Sequence, residues 1–249
     1  MIDAHSIAVV FDAYGPERTA LIDLLRSLGD ADWERPTECP AYSVKGVATH
    51  VLGDDLSLLS RQRDEAEDGI IRLAAQLPDA DLWTRLNAFN DQWVSAASFL
   101  SPALLLELLG RSGEWTERYY RDVDPEAPGE PVGLFGVTRG TSPFWHAIAR
   151  EYMERWVHHS QIRRALGLPS LATEPFLRVG IEVAAAAARM EPGIPTAPDG
   201  SWRVGPIDLG PGQQAADILT RAHVAAEIRE LAGGPPELVE LFAAVAGRD

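Results

Sequence analysis

The sequence predicts a mostly α-helical protein: a four-helix bundle over residues 1–170, then a smaller helix-rich region over 171–249. Three observations carry this reading. Apolar residues before position 170 recur at three- and four-residue spacing, the period of a helix buried on one face. The connections between the four main helical stretches suit antiparallel neighbours. Beyond residue 170, proline and glycine break the chain into shorter helical pieces.

Residues 2–14 read as a short helix (Ile7, Val10, Phe11, Tyr14) interrupted at Gly15-Pro16. Pro16 then fits the first turn of a helix running to about Leu28, with Leu21, Leu24, Leu25 and Leu28 as its inner stripe. The linker 32–42 holds two prolines and reads as a loop, and Ser43 is placed to cap a helix from Val44 to about Asp64. His50 lies beside Val47 and Val51 on its inner face. A third helix runs from Ala80 to about Phe99, after Pro78-Asp79, and Ser101-Pro102 restarts the chain as a helix to about Tyr120. The proline- and glycine-rich stretch 125–140 reads as a long loop.

The fourth main helix, roughly Pro143–Leu166, is the richest in chemistry. Thr141-Ser142 caps it, Pro143 takes its first turn, and Gly167 with Pro169 closes it. An alanine-rich helix follows to about Met190. Within 191–212 only Ser201–Val204 reads as strand, and helices at about 213–232 and 236–246 finish the chain.

Composition bounds the function. Apolar residues make up 46% and charged residues 24%, ordinary for a globular chain. A net charge of −15 repels phosphate backbones, which argues against nucleic acid as a partner. No apolar run approaches the roughly 18 residues of a membrane span. The N-terminal residues lack the basic-then-apolar order of a signal peptide. The single cysteine, Cys39, leaves no internal disulfide and suits a cytoplasmic protein.

Glu154 and His158 stand four apart, one turn above each other on one helix face, where they can chelate one divalent ion. Glu151 is seven residues from His158, roughly 10.5 Å along the axis, too far to share that ion. His50 supplies a third ligand from a second helix. Two histidines and one carboxylate leave a fourth position open, as catalytic zinc sites do. The rival reading of His50 is a core histidine bonded to a carbonyl. His159, about 100° around the helix from His158, is expected at the surface or behind the ligands. Asp54 and Asp55 fit either an orienting role for His50 or solvated helix charges. Arg163-Arg164 reads as a C-terminal helix cap, and Cys39 as a loop thiol. There is no glycine-rich phosphate loop, no G-x-S-x-G, no C-x-x-C and no H-E-x-x-H.

Two separated stretches resemble one known family. Pro36-Thr37-Glu38-Cys39-Pro40-Ala41-Tyr42-Ser43-Val44, with Ala48-Thr49-His50-Val51-Leu52-Gly53, is similar to the N-terminal domain of the mycothiol-dependent maleylpyruvate isomerase family, within the DinB-like metal-binding four-helix bundles. Glu154-Arg155-Trp156-Val157-His158, with Ile162-Arg163-Arg164-Ala165-Leu166-Gly167, resembles that family's second motif. The resemblance covers about residues 1–170 and implies His50, Glu154 and His158 as ligands of Zn²⁺ or another divalent metal, with mycothiol as cosubstrate. Two departures stand out. Gln161 occupies a position where the family commonly has Asp, and residues 171–249 match the family's sterol-carrier-like C-terminal domain poorly. The expected activity is thiol-dependent isomerisation or S-transfer on a small electrophilic substrate. The alternatives are a zinc hydrolase using metal-bound hydroxide and a non-enzymatic bundle that binds a ligand or protein.

Overall fold

The structure is a computed structural model that describes residues 4–67, 72, 76–129, 143–188, 191–197 and 199–246. Ten α-helices and a three-stranded antiparallel sheet among the described residues make the protein mostly α, as the apolar periodicity predicts. No helix among them is long and apolar enough to cross a membrane. The chain divides into two compact units, residues 18–122 and residues 1–17 with 123–249.

Helix α1 runs unbroken over Ala4–Arg26, with Pro16 inside it. This overturns the expected interruption at Gly15-Pro16. Proline removes one backbone donor and crowds the preceding turn, which disfavours a helix interior. Here Val10, Ala13, Tyr14, Glu17, Leu21 and Leu25 are all buried, a helical stripe that continues across the proline, while Pro16 itself is exposed. Burial of that stripe outweighs the local propensity.

The unit 18–122 holds the rest of α1, the short α2 (Asp30–Trp33), α3 (Val44–Leu58), α4 (Leu82–Ala96) and α5 (Pro102–Asp122). Ser43 caps α3 as expected, its hydroxyl accepting from Gly46 N–H at 3.3 Å. The helix continues through a π-helical turn at Leu59–Arg63. Asp81 caps α4 through Thr84 N–H (2.8 Å), so Pro78-Asp79 lies in the preceding turn and not at the helix start. Pro102 opens α5, where its missing donor costs nothing.

Helix α3 packs against α4 and α5 through Val44, Val47, Ala48, Val51, Leu52 and Leu58. One charge sits inside this packing. Asp55 has no exposed surface and meets Arg18 at 3.0 and 2.8 Å through its two oxygens. Ser112 donates to the same carboxylate at 2.6 Å, and Arg18 also donates to Leu109 C=O at 3.3 Å. The group ties α1, α3 and α5 to one another.

The other unit contains α6 (Phe144–Ala165), α7 (Glu174–Ala188), the sheet, α8 (Gly212–Leu219), α9 (Ala225–Leu231) and α10 (Pro236–Ala246). The expected caps Thr141 and Ser142, and most of the 125–140 loop, lie outside the described residues. Pro143 is the N-cap of α6 and not its first helical residue, and Phe144 and Trp145 N–H groups bond to Ala127 and Pro125 carbonyls (2.8 and 2.9 Å). Gly167, at φ 75°, closes the far end as expected.

Beyond it, Trp202–Val204 pairs with both Pro192–Gly193 and Ile207–Gly210. The expected strand is therefore present with two more, hidden in the sequence by their brevity and their prolines and glycines. The expected helix at 213–232 is two helices, broken where Arg221 adopts φ 59°. Arg163 and Arg164 do not only cap α6: they donate to Pro169 C=O, to the Ser170 hydroxyl and to Thr220, fastening the α6 end to the end of α8.

The inner face of α6 carries a second buried polar group. His159 has no exposed surface, which removes the surface alternative of the two expected for it, and its Nδ1 lies 2.9 Å from Glu17 Oε1, also fully buried. Tyr152 and Arg155 share that face, with the guanidinium 4.5 Å from the Tyr14 ring centroid. Burial pulls the Arg155 guanidinium down to about 9. Burial first, then the charge of Glu17, pushes the Tyr152 phenol well above its ordinary value.

Two tests follow from these buried groups. Arg18→Met or Asp55→Leu alone should lower unfolding stability by about 3–5 kcal/mol, because each leaves an uncompensated buried charge. The double variant should recover most of the loss in urea denaturation, since an apolar pair of similar size carries no desolvation cost. For Tyr152, a raised native pKa means stability is fully present below the unfolded value near 10 and is lost as pH rises beyond it. Relative to Tyr152→Phe, the wild type should lose about 1.4 kcal/mol per pH unit above roughly pH 10 and track it below, in denaturation curves taken between pH 7 and 11.5.

Candidate metal centre

Each unit offers a histidine–carboxylate pair at helical i,i+4 spacing that is at least half-buried; a further pair in the second unit, His223 with Glu227, has an exposed carboxylate. In the unit 18–122 the pair is His50 and Asp54 on α3, with Nε2 3.3 Å from Oδ2. His50 is buried and Asp54 half-buried. A tetrahedral ion with ligands at roughly 2.0–2.2 Å needs donor atoms about 3.3–3.6 Å apart, so this spacing already suits one ion.

The Tyr42 ring stacks on His50 at 5.9 Å between centroids and 29° between planes. Its hydroxyl donates to Asp91 Oδ1 on α4 at 2.8 Å. Burial, then the hydrogen bond to Asp91 and the charges of Asp91, Cys39 and Asp54, raise the Tyr42 phenol far above its ordinary value, so it stays neutral.

In the other unit the pair is Glu154 and His158 on α6. His158 Nε2 stands 4.0 Å from Glu154 Oε2, and its Nδ1 lies 2.9 Å from Gln161 Oε1. With Gln161 accepting the Nδ1 proton, Nε2 keeps its lone pair and faces the carboxylate, the tautomer a metal ligand requires. The amide oxygen at 161 thus makes the same contact an Asp carboxylate would make, without its charge. Glu151, set aside on spacing, is buried and engaged by Arg150.

Glu154 stands 4.0 Å from His158, the proximity that four-residue spacing implies, while the same spacing argument leaves Asp54 and Asp55 undivided. The structure separates them: Asp54 touches the His50 ring, whereas Asp55 belongs to the Arg18 network. The i,i+4 rule that selected Glu154 for His158 also selects Asp54 for His50. Tyr42 had no such signal, because its partner Asp91 is 49 residues away in the chain.

Each pair by itself offers a ring nitrogen and a carboxylate oxygen, donor types that a divalent cation such as zinc takes.

Residues 14–163 match the family described as the mycothiol maleylpyruvate isomerase N-terminal domain. No curated protein matches the chain, and no solved structure does. The matched stretch includes Tyr42, His50, Asp54, Glu154, His158 and Gln161 and stops short of 171–249. The mostly α architecture is consistent with a DinB-like bundle. With more than half of its residues matched in one continuous stretch, the chain belongs to the mycothiol maleylpyruvate isomerase N-terminal domain family.

Proposed function

We propose that this protein binds a divalent cation, zinc in the first instance, through His50, Glu154 and His158, and uses it to activate a low-molecular-weight thiol. The family's name supplies mycothiol as that thiol and isomerisation of a small electrophilic substrate as the reaction, with S-transfer as the variant. The observation that carries the reading is the His158 ring, whose Nδ1 lies 2.9 Å from Gln161 Oε1 while its Nε2 edge turns toward Glu154, 4.0 Å away. The His50–Asp54 pair repeats the theme and supports it.

A bound cation would lower the pKa of a coordinated thiol, which is mostly protonated at neutral pH when free. The protein's own part is to orient two imidazoles and supply the carboxylates. Whichever carboxylate is not taken up as a ligand sits beside a histidine nitrogen and can accept the thiol proton. A thiolate that adds to an electrophilic double bond turns it into a single bond. Rotation about that bond and elimination of the thiolate then give the other isomer, with no net change in atoms or redox state.

A specific distance favours a second reading of the ligand set, in which Asp54 replaces Glu154. Asp54 lies closer to its histidine (3.3 Å) than Glu154 does to His158 (4.0 Å). Glu154→Gln and Asp54→Asn distinguish the two, because an amide is a poorer, neutral ligand.

The purified protein should carry about one zinc per chain by elemental analysis, and His158→Ala should lose it. In the Co²⁺ form, millimolar mycothiol should produce a sulfur–metal charge-transfer band and release about one proton. Turnover of a maleylpyruvate-like alkene should depend on the thiol. A hydrolase working through metal-bound hydroxide predicts thiol inhibition and no thiol-dependent turnover. Full zinc retention by His158→Ala would remove the site and leave a ligand-binding bundle.

A further inference from the structure

We propose that Tyr42 is a positioning residue for His50, its ring setting the plane of the imidazole and Asp91 clamping its hydroxyl. The role rests on the metal-site reading above, but every contact that defines it lies within the unit 18–122.

A histidine on a helix has a broad, two-fold torsion between ring and backbone, so the helix alone does not decide where Nε2 points. Two contacts among the described residues constrain it here. Asp54 takes the Nε2 edge, and the Tyr42 face covers the ring at a centroid distance inside the range of stacked aromatic pairs.

Tyr42 is itself held at both ends. At the backbone, its N–H donates to Cys39 C=O (2.9 Å), and its C=O accepts from the Thr37 hydroxyl (2.8 Å) and the Thr37 N–H (3.3 Å). The pairing of Pro36 with Ser43 closes this small loop directly ahead of α3. Gly46 lies under the side chain, where an added Cβ would come within 3.0 Å of Tyr42 Cβ. At the far end the hydroxyl reaches Asp91.

Asp91 is in turn placed by the docking of α4 on α3. Trp93 lies so close to Gly53 that a Cβ there would meet its ring at 2.3 Å, and its indole N–H donates to Thr49 C=O at 2.8 Å. The tyrosine is therefore a strut from the loop, across the imidazole, to α4. The Pro40-Ala41-Tyr42-Ser43 stretch that precedes the His50 helix thereby acquires a purpose that no helix periodicity predicts.

Full-length Tyr42→Leu, Tyr42→Phe, Asp91→Ala and Asp91→Asn test the strut by two independent readouts at fixed pH. The first is the ¹H–¹³C ring signal of His50 in metal-free protein, assigned by its loss in His50→Ala. Tyr42→Leu should displace that signal, Asp91→Ala should displace it less, and Asp91→Asn, whose amide oxygen still accepts from the hydroxyl, should restore it. The second is Co²⁺ binding. Groups that orient a ligand typically govern about 10–100-fold in metal affinity, so Tyr42→Leu should lose that much and alter the visible absorption band. Tyr42→Phe, which keeps the ring and loses only the clamp, should lose about 10-fold, the low end of that range.

An unmoved His50 signal in Tyr42→Leu overturns the proposal. So does a lower melting temperature accompanied by wild-type Co²⁺ affinity and spectrum, which is what a merely structural tyrosine would give. If Tyr42→Leu does not fold, Tyr42→Phe and Asp91→Ala decide by the same two readouts. Should the wild type take up no Co²⁺, the metal-site reading falls and the ring signal still decides the strut.

Discussion

The carboxylate of Asp55 has no exposed surface, and the unit 18–122 is arranged to satisfy it. A buried, unpaired carboxylate costs several kcal/mol, so the fold that contains it must also bring a cation and further donors. Arg18 on α1 and Ser112 on α5 meet that demand. Once they do, the rotation of α3 about its axis is set, because an ion pair with two donors tolerates little displacement. Asp54 is one residue earlier, about 100° around the helix, and is directed together with His50 at a different face. The pair that suits a metal is thus aimed by the neighbouring carboxylate that Arg18 holds.

Helix α6 shows the same economy in the other unit. Tyr152, Arg155 and His159 fall on one face and are buried with Tyr14 and Glu17. Glu154, His158 and Gln161 fall on another, half-buried or buried, with both nitrogens of His158 facing acceptors. Two adjacent histidines in the sequence thus have separate work. His159 anchors the helix by a buried bond to Glu17, and His158 turns its Nε2 edge toward Glu154. The burial of Arg155 and Tyr152 keeps one guanidinium easier to deprotonate and one phenol harder to ionise than in water, both consequences of a low-dielectric interior.

Local patterns carried much of the site. Glu154 and His158 could be paired from spacing alone, since residues four apart in a helix are neighbours whatever surrounds them. The same rule reaches Asp54 from His50. Three features escaped it. The role of Gln161 depends on a side-chain orientation; a neutral amide at that position reads as a departure from the family pattern, although its oxygen makes the contact. The burial of His159 depends on Glu17, 142 residues away. The choice between Asp54 and Asp55 depends on Arg18, which periodicity cannot connect to α3.

What the sequence by itself determined is the helical class, most helix starts and stops, and the family. Capping residues such as Ser43, the proline opening α5 and the glycine closing α6 act through their own backbone neighbours, so their meaning survives without knowledge of the fold. Tertiary structure decided where local preference and burial disagree. Helix α1 passes through Pro16 because one apolar stripe is buried on both sides of it. Short strands form at Pro192–Gly193 and Ile207–Gly210 because each finds a partner in Trp202–Val204. Tyr42 lies over His50 because Asp91, far along the chain, holds its hydroxyl. In each case the deciding partner is remote in sequence, and the energy it supplies exists only after the chain has packed.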